Sequence, residues 1–162
     1  MAFYEIDAPV YAAHGAQTAS RHPPAFLAML REGGKILELG CGGGRDGAAM
    51  LAAGFDVDAT DGCTALARKA EARIGQPVRV MRFAELDADS AYDGVWASAC
   101  LLHVPRDDLA DILARIHRAL KPDGVHGASY KGGTREGRDT FGRYFNYPDA
   151  DWQRAAYDEA AK

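Results

Sequence analysis

The sequence predicts an α/β fold, an open sheet of parallel strands joined by crossover helices, and three observations carry that expectation. Residues 35–46, KILELGCGGGRD, pass from a short apolar run (Ile36, Leu37, Leu39) that suits a buried parallel strand into a turn where five of the eight residues from Gly40 to Gly47 are glycine. Residues 47–53, rich in Ala, Met and Leu, then read as a helix, whose N-terminus presents unpaired amides and a positive dipole end to whatever the turn encloses. A second strand, residues 55–60, ends in Asp61, a carboxylate placed to hold the two hydroxyls of a ribose. Strand, glycine turn, helix, strand, acid is a nucleoside-binding unit.

At 162 residues and 17.4 kDa the chain is long enough for one core, so residues 1–162 are read as a single domain. It carries 19 Lys and Arg against 23 Asp and Glu, a net charge of −4, which offers no basic surface for nucleic acid. No apolar run approaches the ~18 residues of a membrane helix, and the N-terminal MAFYEIDAP lacks a basic-then-apolar signal pattern; a cytoplasmic protein without membrane contact is expected. The three cysteines, Cys41, Cys63 and Cys100, are odd in number and unspaced for zinc, so no metal site is expected. Each follows a predicted strand at the end where open α/β sheets bind ligands, and each is read as a small side chain filling a crowded turn.

Taken in order, residues 3–13 hold Tyr4, Ile6, Val10 and Tyr11 too irregularly for a helix and suit a strap on the sheet. Pro23 and Pro24 open a helix whose Phe26, Leu27 and Leu30 share one side, and Gly33-Gly34 ends it. After Asp61, Thr64–Ile74 is an amphipathic crossover helix with Leu66, Ala67, Ala70 and Ile74 on one face. Residues 78–83 alternate imperfectly, as a strand near a sheet edge does. Tyr92–Ser98 is the fourth strand, and residues 98–105 form the loop beyond it. Leu109, Ile112, Leu113, Ile116 and Leu120 then recur at helical spacing, residues 121–124 (KPDG) stop that helix, and residues 125–130 are the fifth strand. Residues 131–143, KGGTREGRDTFGR, are glycine-rich, basic and without a pattern of their own, a lid or a flap ahead of the aromatic cluster Tyr144 to Tyr147. Residues 149–161 close the chain as a helix capped by Asp149, with Trp152, Ala156 and Tyr157 as its apolar positions.

The glycine turn fits two frames. Gly42-x-Gly44-x-x-Gly47 matches a dinucleotide fingerprint with Asp61 beyond it, which leaves an NAD-dependent reductase as one alternative. Read one step earlier, Glu38-x-Gly40-x-Gly42-x-Gly44 places a carboxylate at the mouth of the turn, a poor neighbour for a pyrophosphate and a good one for a cationic ligand.

In this second frame the segment Glu38 to Asp46, with Asp61 closing the next strand, resembles the first motif and following acid of the class I S-adenosylmethionine-dependent methyltransferases. YDGVWASACLLHVP (residues 92–105) and LKPDGVHGASY (residues 120–130) resemble that family's fourth strand with its acceptor loop and its fifth strand. The glycine-rich GRYFN at residues 142–146 is similar to small bacterial tellurite-resistance and thiopurine-type enzymes. The resemblance implies a Rossmann-like three-layer sandwich with strand order 3-2-1-4-5. It also implies S-adenosylmethionine as cofactor, S-adenosylhomocysteine as product and a small-molecule methyl acceptor.

It further implies site residues. Tyr11 and Arg21 would close over the methionine end of the cofactor. Glu38, Gly40, Cys41, Gly42, Gly44, Arg45 and Asp46 would hold it in the first turn. Asp61, with Gly62 and Cys63 beside it, would take the ribose, and Glu85 with Leu86 the adenine. Ser98 would stand at the cofactor end of strand four, with Asp93 as a structural acid facing the glycine turn. His103 is the one histidine in the acceptor loop and the candidate base and acceptor contact, joined from the lid by Arg143 and Tyr144, whose basic surroundings favour an anionic acceptor. The family's sixth and seventh strands have no residues assigned here, so strand five is expected to present a bare edge along which two chains could pair as a dimer. A cofactor-binding or interaction module without catalysis is the alternative that this shortfall brings.

Overall fold

The computed structural model describes residues 22–140 and 142–161. Its centre is β1 (Lys35–Glu38), whose Ile36 lies opposite Val57 of β2 (Asp56–Asp61) on one side and Gly94 of β4 (Tyr92–Ser98) on the other, all three parallel. β3 (Arg79–Val80) extends the sheet beyond β2 and β5 (Leu120–Ser129) beyond β4, giving the order β3-β2-β1-β4-β5 expected from the sequence.

Alternation along these strands sorts the core into two faces. Ile36, Val57 and Trp96 pack with Phe26 of α1 (Pro23–Leu27), Met50 of α2 (Arg45–Ala52) and Ala67 and Ala70 of α3 (Thr64–Ile74). Leu37 and Val95 pack on the other side with Leu109, Ile112, Leu113 and Ile116 of α4 (Arg106–Ala119). These four large side chains recur at helical spacing, and burying each is worth about 1.5–3 kcal/mol. The helices therefore sit where their apolar stripes require, and both sheet faces are covered.

Four expectations are corrected. β3 is only two residues long and both are exposed, because at the sheet margin neither face has a helix to receive a longer apolar run. α4 runs straight into β5 with no intervening turn: Leu120 pairs with Tyr92, and the KPDG residues form an irregularity in the strand, with Asp123 at φ +64°. Asp93 does not face the glycine turn. It lies near the start of β4, and because β1 runs parallel, the start of β4 adjoins the start of β1, at the opposite end of the sheet from the turn; its carboxylate accepts Lys35 N at 2.8 Å and pairs with Arg31 and Lys121.

The fourth correction concerns the lid. Residues 131–143 are not structureless: β6 (Glu136–Arg138) pairs antiparallel with β7 (Tyr144–Asn146), a small ribbon outside the main sheet. Cross-strand pairing satisfies the backbone of a stretch whose composition alone reads as coil. Behind it α5 (Ala150–Ala160) begins at Asp149, whose Oδ1 accepts Trp152 N at 2.8 Å, and its Trp152, Ala156 and Tyr157 pack against the α4 side of the core. Tyr157 stacks on His126 of β5 at 5.5 Å, so α5 covers one face of that strand.

Candidate active site

The glycine turn is held by the strands on both sides of it. Leu39 N donates to Trp96 O at 2.8 Å and Cys41 N to Thr60 O at 2.9 Å, while Thr60 Oγ1 donates to Glu38 O at 2.8 Å. Gly40 has φ +61°, and a Cβ there would stand 2.6 Å from Cys100 Cβ, so only glycine passes at this point. Cys100 Sγ donates to Leu39 O at 3.1 Å; Cys41, Cys63 and Cys100 are all buried and outside any disulfide, and burial pushes the Cys41 and Cys100 thiols up, away from reactivity. Asp61 ties the turn to β2: Gly42 N donates to its Oδ2 and Cys63 N to its Oδ1, each at 2.8 Å. A Cβ built on Gly42 meets nothing within 4 Å, so beyond this amide the turn opens to space.

Three carboxylates converge beneath the turn. Glu38 is 2% exposed, and Gly47 is the residue that lets it fit, since a Cβ there would lie 2.5 Å from Glu38 Oε2. Among the described residues that Oε2 has no hydrogen-bond partner. Burial, then the charge of Asp46, pushes the Glu38 carboxyl well above its ordinary range, with Asp61 adding to the shift and the Gly47 amide opposing it. Asp46, at the start of α2, is turned inward and its Oδ2 accepts Trp96 Nε1 at 2.9 Å. An unpartnered buried carboxylate oxygen between two further acids, under amides that open to space, fits a nucleoside ligand that brings a cationic, hydrogen-bond-donating end.

Around this centre the other predicted cofactor residues take varied positions. Gly44 caps α2 in a left-handed conformation and Arg45 is its first residue; Gly62 follows Asp61 directly, half-buried. Leu86 is 1% exposed with its side chain in the core, and its carbonyl accepts Arg115 Nη1 at 3.2 Å. Glu85 folds back to accept Arg82 N at 2.7 Å, closing a short 3-10 turn. Tyr11 and Arg21 lie outside the described residues.

The acceptor side begins where β4 ends. Ala99 adopts φ +48°, an uncommon left-handed conformation for a residue with a side chain, with its N–H donating to Ser129 Oγ at 2.9 Å. Ser98 Oγ lies 3.5 Å from the same hydroxyl. His103 closes a 3-10 turn, Leu101–His103, and its Nδ1 lies 2.8 Å from Tyr144 O on β7. A carbonyl only accepts, so Nδ1 carries the proton and the lone pair of the neutral ring is on Nε2. Burial, then the Arg143 charge, lowers the imidazole pKa to about 4, with Lys131 adding to the shift and Asp139 opposing it. Phe145 lies 4.7 Å from the His103 ring. Arg143 pairs with Asp139 at 2.6 Å and Tyr144 Oη donates to Glu136, so both predicted lid contacts have partners inside the β6–β7 flap.

A family profile described as a methyltransferase domain matches residues 36–124, more than half of the chain. The chain belongs to the methyltransferase domain family. No curated protein matches it. Among solved structures, the 1,6-didemethyltoxoflavin-N1-methyltransferase of Burkholderia thailandensis, bound to 1,6-didemethyltoxoflavin and S-adenosylhomocysteine, is similar at 28% identity and TM-score 0.77, with 94% of this chain and 72% of that one covered. A TehB-like S-adenosylmethionine-dependent methyltransferase of Corynebacterium glutamicum shares the fold at 22% identity and TM-score 0.69, over 93% and 77%. A putative methyltransferase of Haloferax volcanii, solved in complex with the Trm112 activator, shares it at 20% identity and TM-score 0.77, over 96% and 75%. The similarity is spread over several methyltransferases at comparable distance. This methyltransferase is an S-adenosylmethionine-dependent enzyme.

Three residues of this methyltransferase escape the sequence reading. Trp96 holds the Asp46 carboxylate; the available signal is an indole within the buried run at residues 94–97, where its N–H must find an acceptor. Arg106 donates from Nε to Asn146 Oδ1 at 2.9 Å. Asn146 is fully buried, and since the guanidinium can only donate, its amide is oriented with Oδ1 toward Arg106, leaving Nδ2 without a partner among the described residues. Nothing in the local pattern marks that pair. Among the described residues no cluster could hold a metal ion, and no helix is long and apolar enough to cross a membrane.

Proposed function

We propose that the methyltransferase acts on a small-molecule acceptor received between the loop after β4 and the β6–β7 flap, with His103 Nε2 taking the acceptor's proton. One observation carries the reading, the 2.8 Å contact of His103 Nδ1 with Tyr144 O, which places the basic lone pair of a neutral imidazole on Nε2 within the acceptor loop. S-adenosylmethionine supplies an already activated methyl group on a sulfonium. The chain's own task is then alignment and exclusion of water. In this reading the amides of the turn and the carboxylates of Glu38 and Asp46 hold the methionine end, with Tyr11 and Arg21, Asp61 holds the ribose, and Glu85 with Leu86 flanks the adenine.

The acceptor class we favour is a small planar molecule methylated on nitrogen; the similar Burkholderia enzyme is by name an N1-methyltransferase of 1,6-didemethyltoxoflavin. The rings of His103, Phe145 and Tyr147 suit such a ligand. An anionic group on it would meet Lys131 and Arg135, exposed on the segment leading into β6, whereas Arg143 is engaged by Asp139. A thiol or chalcogen oxyanion is the acceptor that the tellurite-resistance and thiopurine-type likeness of residues 142–146 would bring. The same reading puts the enzyme in a reducing cytoplasm, which suits three cysteines outside any disulfide, and allows two chains to pair along β5, whose outer side has no strand partner among the described residues.

The test is methyl transfer from labelled S-adenosylmethionine to 1,6-didemethyltoxoflavin and to thiophenol, by the native enzyme and by His103→Asn. Turnover of the nitrogen acceptor should fall about 10²–10⁴-fold in H103N with cofactor affinity unchanged. Equal turnover by both proteins would remove His103 as the base, and a strong preference for the thiol would overturn the acceptor class.

A further inference from the structure

Arg106 stands at the start of α4, three residues beyond His103, and it ties the flap to the body of the protein. Its backbone N–H donates to Glu136 Oε1 on β6 at 3.2 Å, and its Nε lies 3.8 Å from Glu136 Oε2. Nε also donates to Asn146 Oδ1 on β7 at 2.9 Å, Nη2 reaches Tyr147 O at 3.5 Å, and the guanidinium lies 4.8 Å from the ring of Trp152 on α5. One residue thus engages both flap strands and the helix behind them.

The position of β7 decides what His103 meets. Side chains alternate along the strand, so Tyr144 and Asn146 point toward Glu136 and Arg106 while Phe145 points the other way, onto the His103 ring. With that face seated, the main-chain carbonyl of Tyr144 comes to Nδ1. If β7 moved off, Nδ1 would lose the Tyr144 carbonyl as its acceptor, and an imidazole in water prefers to carry its proton on Nε2.

We propose that Arg106 is a positioning residue: by holding Asn146, Tyr147 and Glu136 it keeps Tyr144 O on His103 Nδ1, and so keeps the basic lone pair of His103 on Nε2. The consequence for catalysis rests on His103 being the base, but the control of the tautomer does not. The closure of the flap and the readiness of the base become one event.

The test is nitrogen-15 NMR of histidine-labelled full-length protein, with S-adenosylhomocysteine calorimetry to check that the cofactor half is intact. The native protein should show His103 protonated on Nδ1. In Arg106→Ala the proton should move to Nε2 and the ring's titration should rise from about 4 toward the ordinary histidine value, with S-adenosylhomocysteine affinity unchanged. Asn146→Asp, which keeps an acceptor for Nε, should retain the native tautomer, whereas Asn146→Ala should lose it in part. Arg106→Lys, which keeps the charge but not the fork of donors, should give a mixture of tautomers and serves if R106A does not fold. A folded R106A or R106K that binds S-adenosylhomocysteine and keeps Nδ1–H throughout would overturn the proposal. Full turnover by H103N beside the expected tautomer shifts would instead remove the base reading and leave the Arg106 linkage standing.

Discussion

Asp61 Oδ2 accepts the amide of Gly42 at 2.8 Å, so the carboxylate assigned to a ribose also holds the turn that would face that ribose. Its Oδ1 takes the Cys63 amide at the same distance. Each carboxylate oxygen accepts more than one bond, so a hydroxyl can join these amides without displacing them. On the proposed ribose assignment, building the cradle and binding in it are coupled through one side chain.

For Asp61→Ala this coupling predicts two losses together. Two amides lose a charged acceptor, each bond being worth about 1.5–3 kcal/mol, so the urea midpoint should drop and S-adenosylhomocysteine affinity should fall in the same protein. Calorimetry that finds native affinity in a destabilised D61A would separate the two roles and sink the ribose assignment.

Trp96→Phe removes the indole N–H that Asp46 Oδ2 accepts while keeping most of the ring's packing against Phe26, which lies 5.0 Å away. The expected cost is about 1–3 kcal/mol in chemical denaturation, the range for loss of a buried partner. Cofactor binding should weaken as well, because Asp46 sits at the start of α2 directly behind the turn. A change within about 0.5 kcal/mol, the range typical of surface substitutions, would show that the contact carries little.

The pH profile of turnover should report the His103 environment. Its folded pKa is lowered to about 4 by burial first and by Arg143 next, so the neutral form persists well below the ordinary value near 6.5. The acid limb of the rate should accordingly fall near pH 4 to 5. The sign for stability is the matching one: the unfolded chain takes up the proton first as pH falls, so the stability present above about pH 6.5 is lost progressively toward pH 4. His126, lowered to about 4 by burial, adds to the same loss. An acid limb centred near 6.5 would mean that the ring is open to water during turnover.

At the other end of the sheet Asp93 contributes in the same direction with pH, through a stabilised charge instead of a buried neutral ring. The Arg31 guanidinium holds its carboxyl well below the usual range, with Lys35 N and Lys121 adding to the effect against the opposing influence of burial. A depressed folded pKa means stability that is present above about pH 4 and lost as pH falls through the folded value. Asp93→Asn should thus be less stable than the native chain at pH 7 yet change less in stability between pH 5 and pH 2, as followed by circular dichroism. Parallel acid-unfolding curves for the two proteins would show that the triad at Asp93 adds nothing.

Local chemistry made much of the fold legible. Thr64–Ile74 and Tyr92–Ser98 are read with the ends they have in the structure, because a 3.6-residue apolar stripe bounded by Gly75 and a buried run entering a loop are signals carried by neighbouring residues. The glycine turn is legible for the same reason, since glycines at 40, 42 and 44 directly after a buried run mark a backbone with positive φ, which is +61°, +56° and +75° at those positions. What the tertiary structure decided are contacts between residues far apart in the chain. Trp96 and Asp46 are 50 positions apart, Arg106 and Asn146 40, and Asp93 meets Arg31 across 62. Each depends on strand order and register together, and a parallel neighbour places the first residue of one strand beside the first of the next; Asp93 therefore belongs to the floor of the sheet, although the family resemblance placed it facing the glycine turn. The flap was undecided for a related reason: Glu136, Tyr144 and Asn146 have no strand pattern of their own, and only pairing across the ribbon and the donors of Arg106 give their polar groups partners that make an extended conformation preferable to coil.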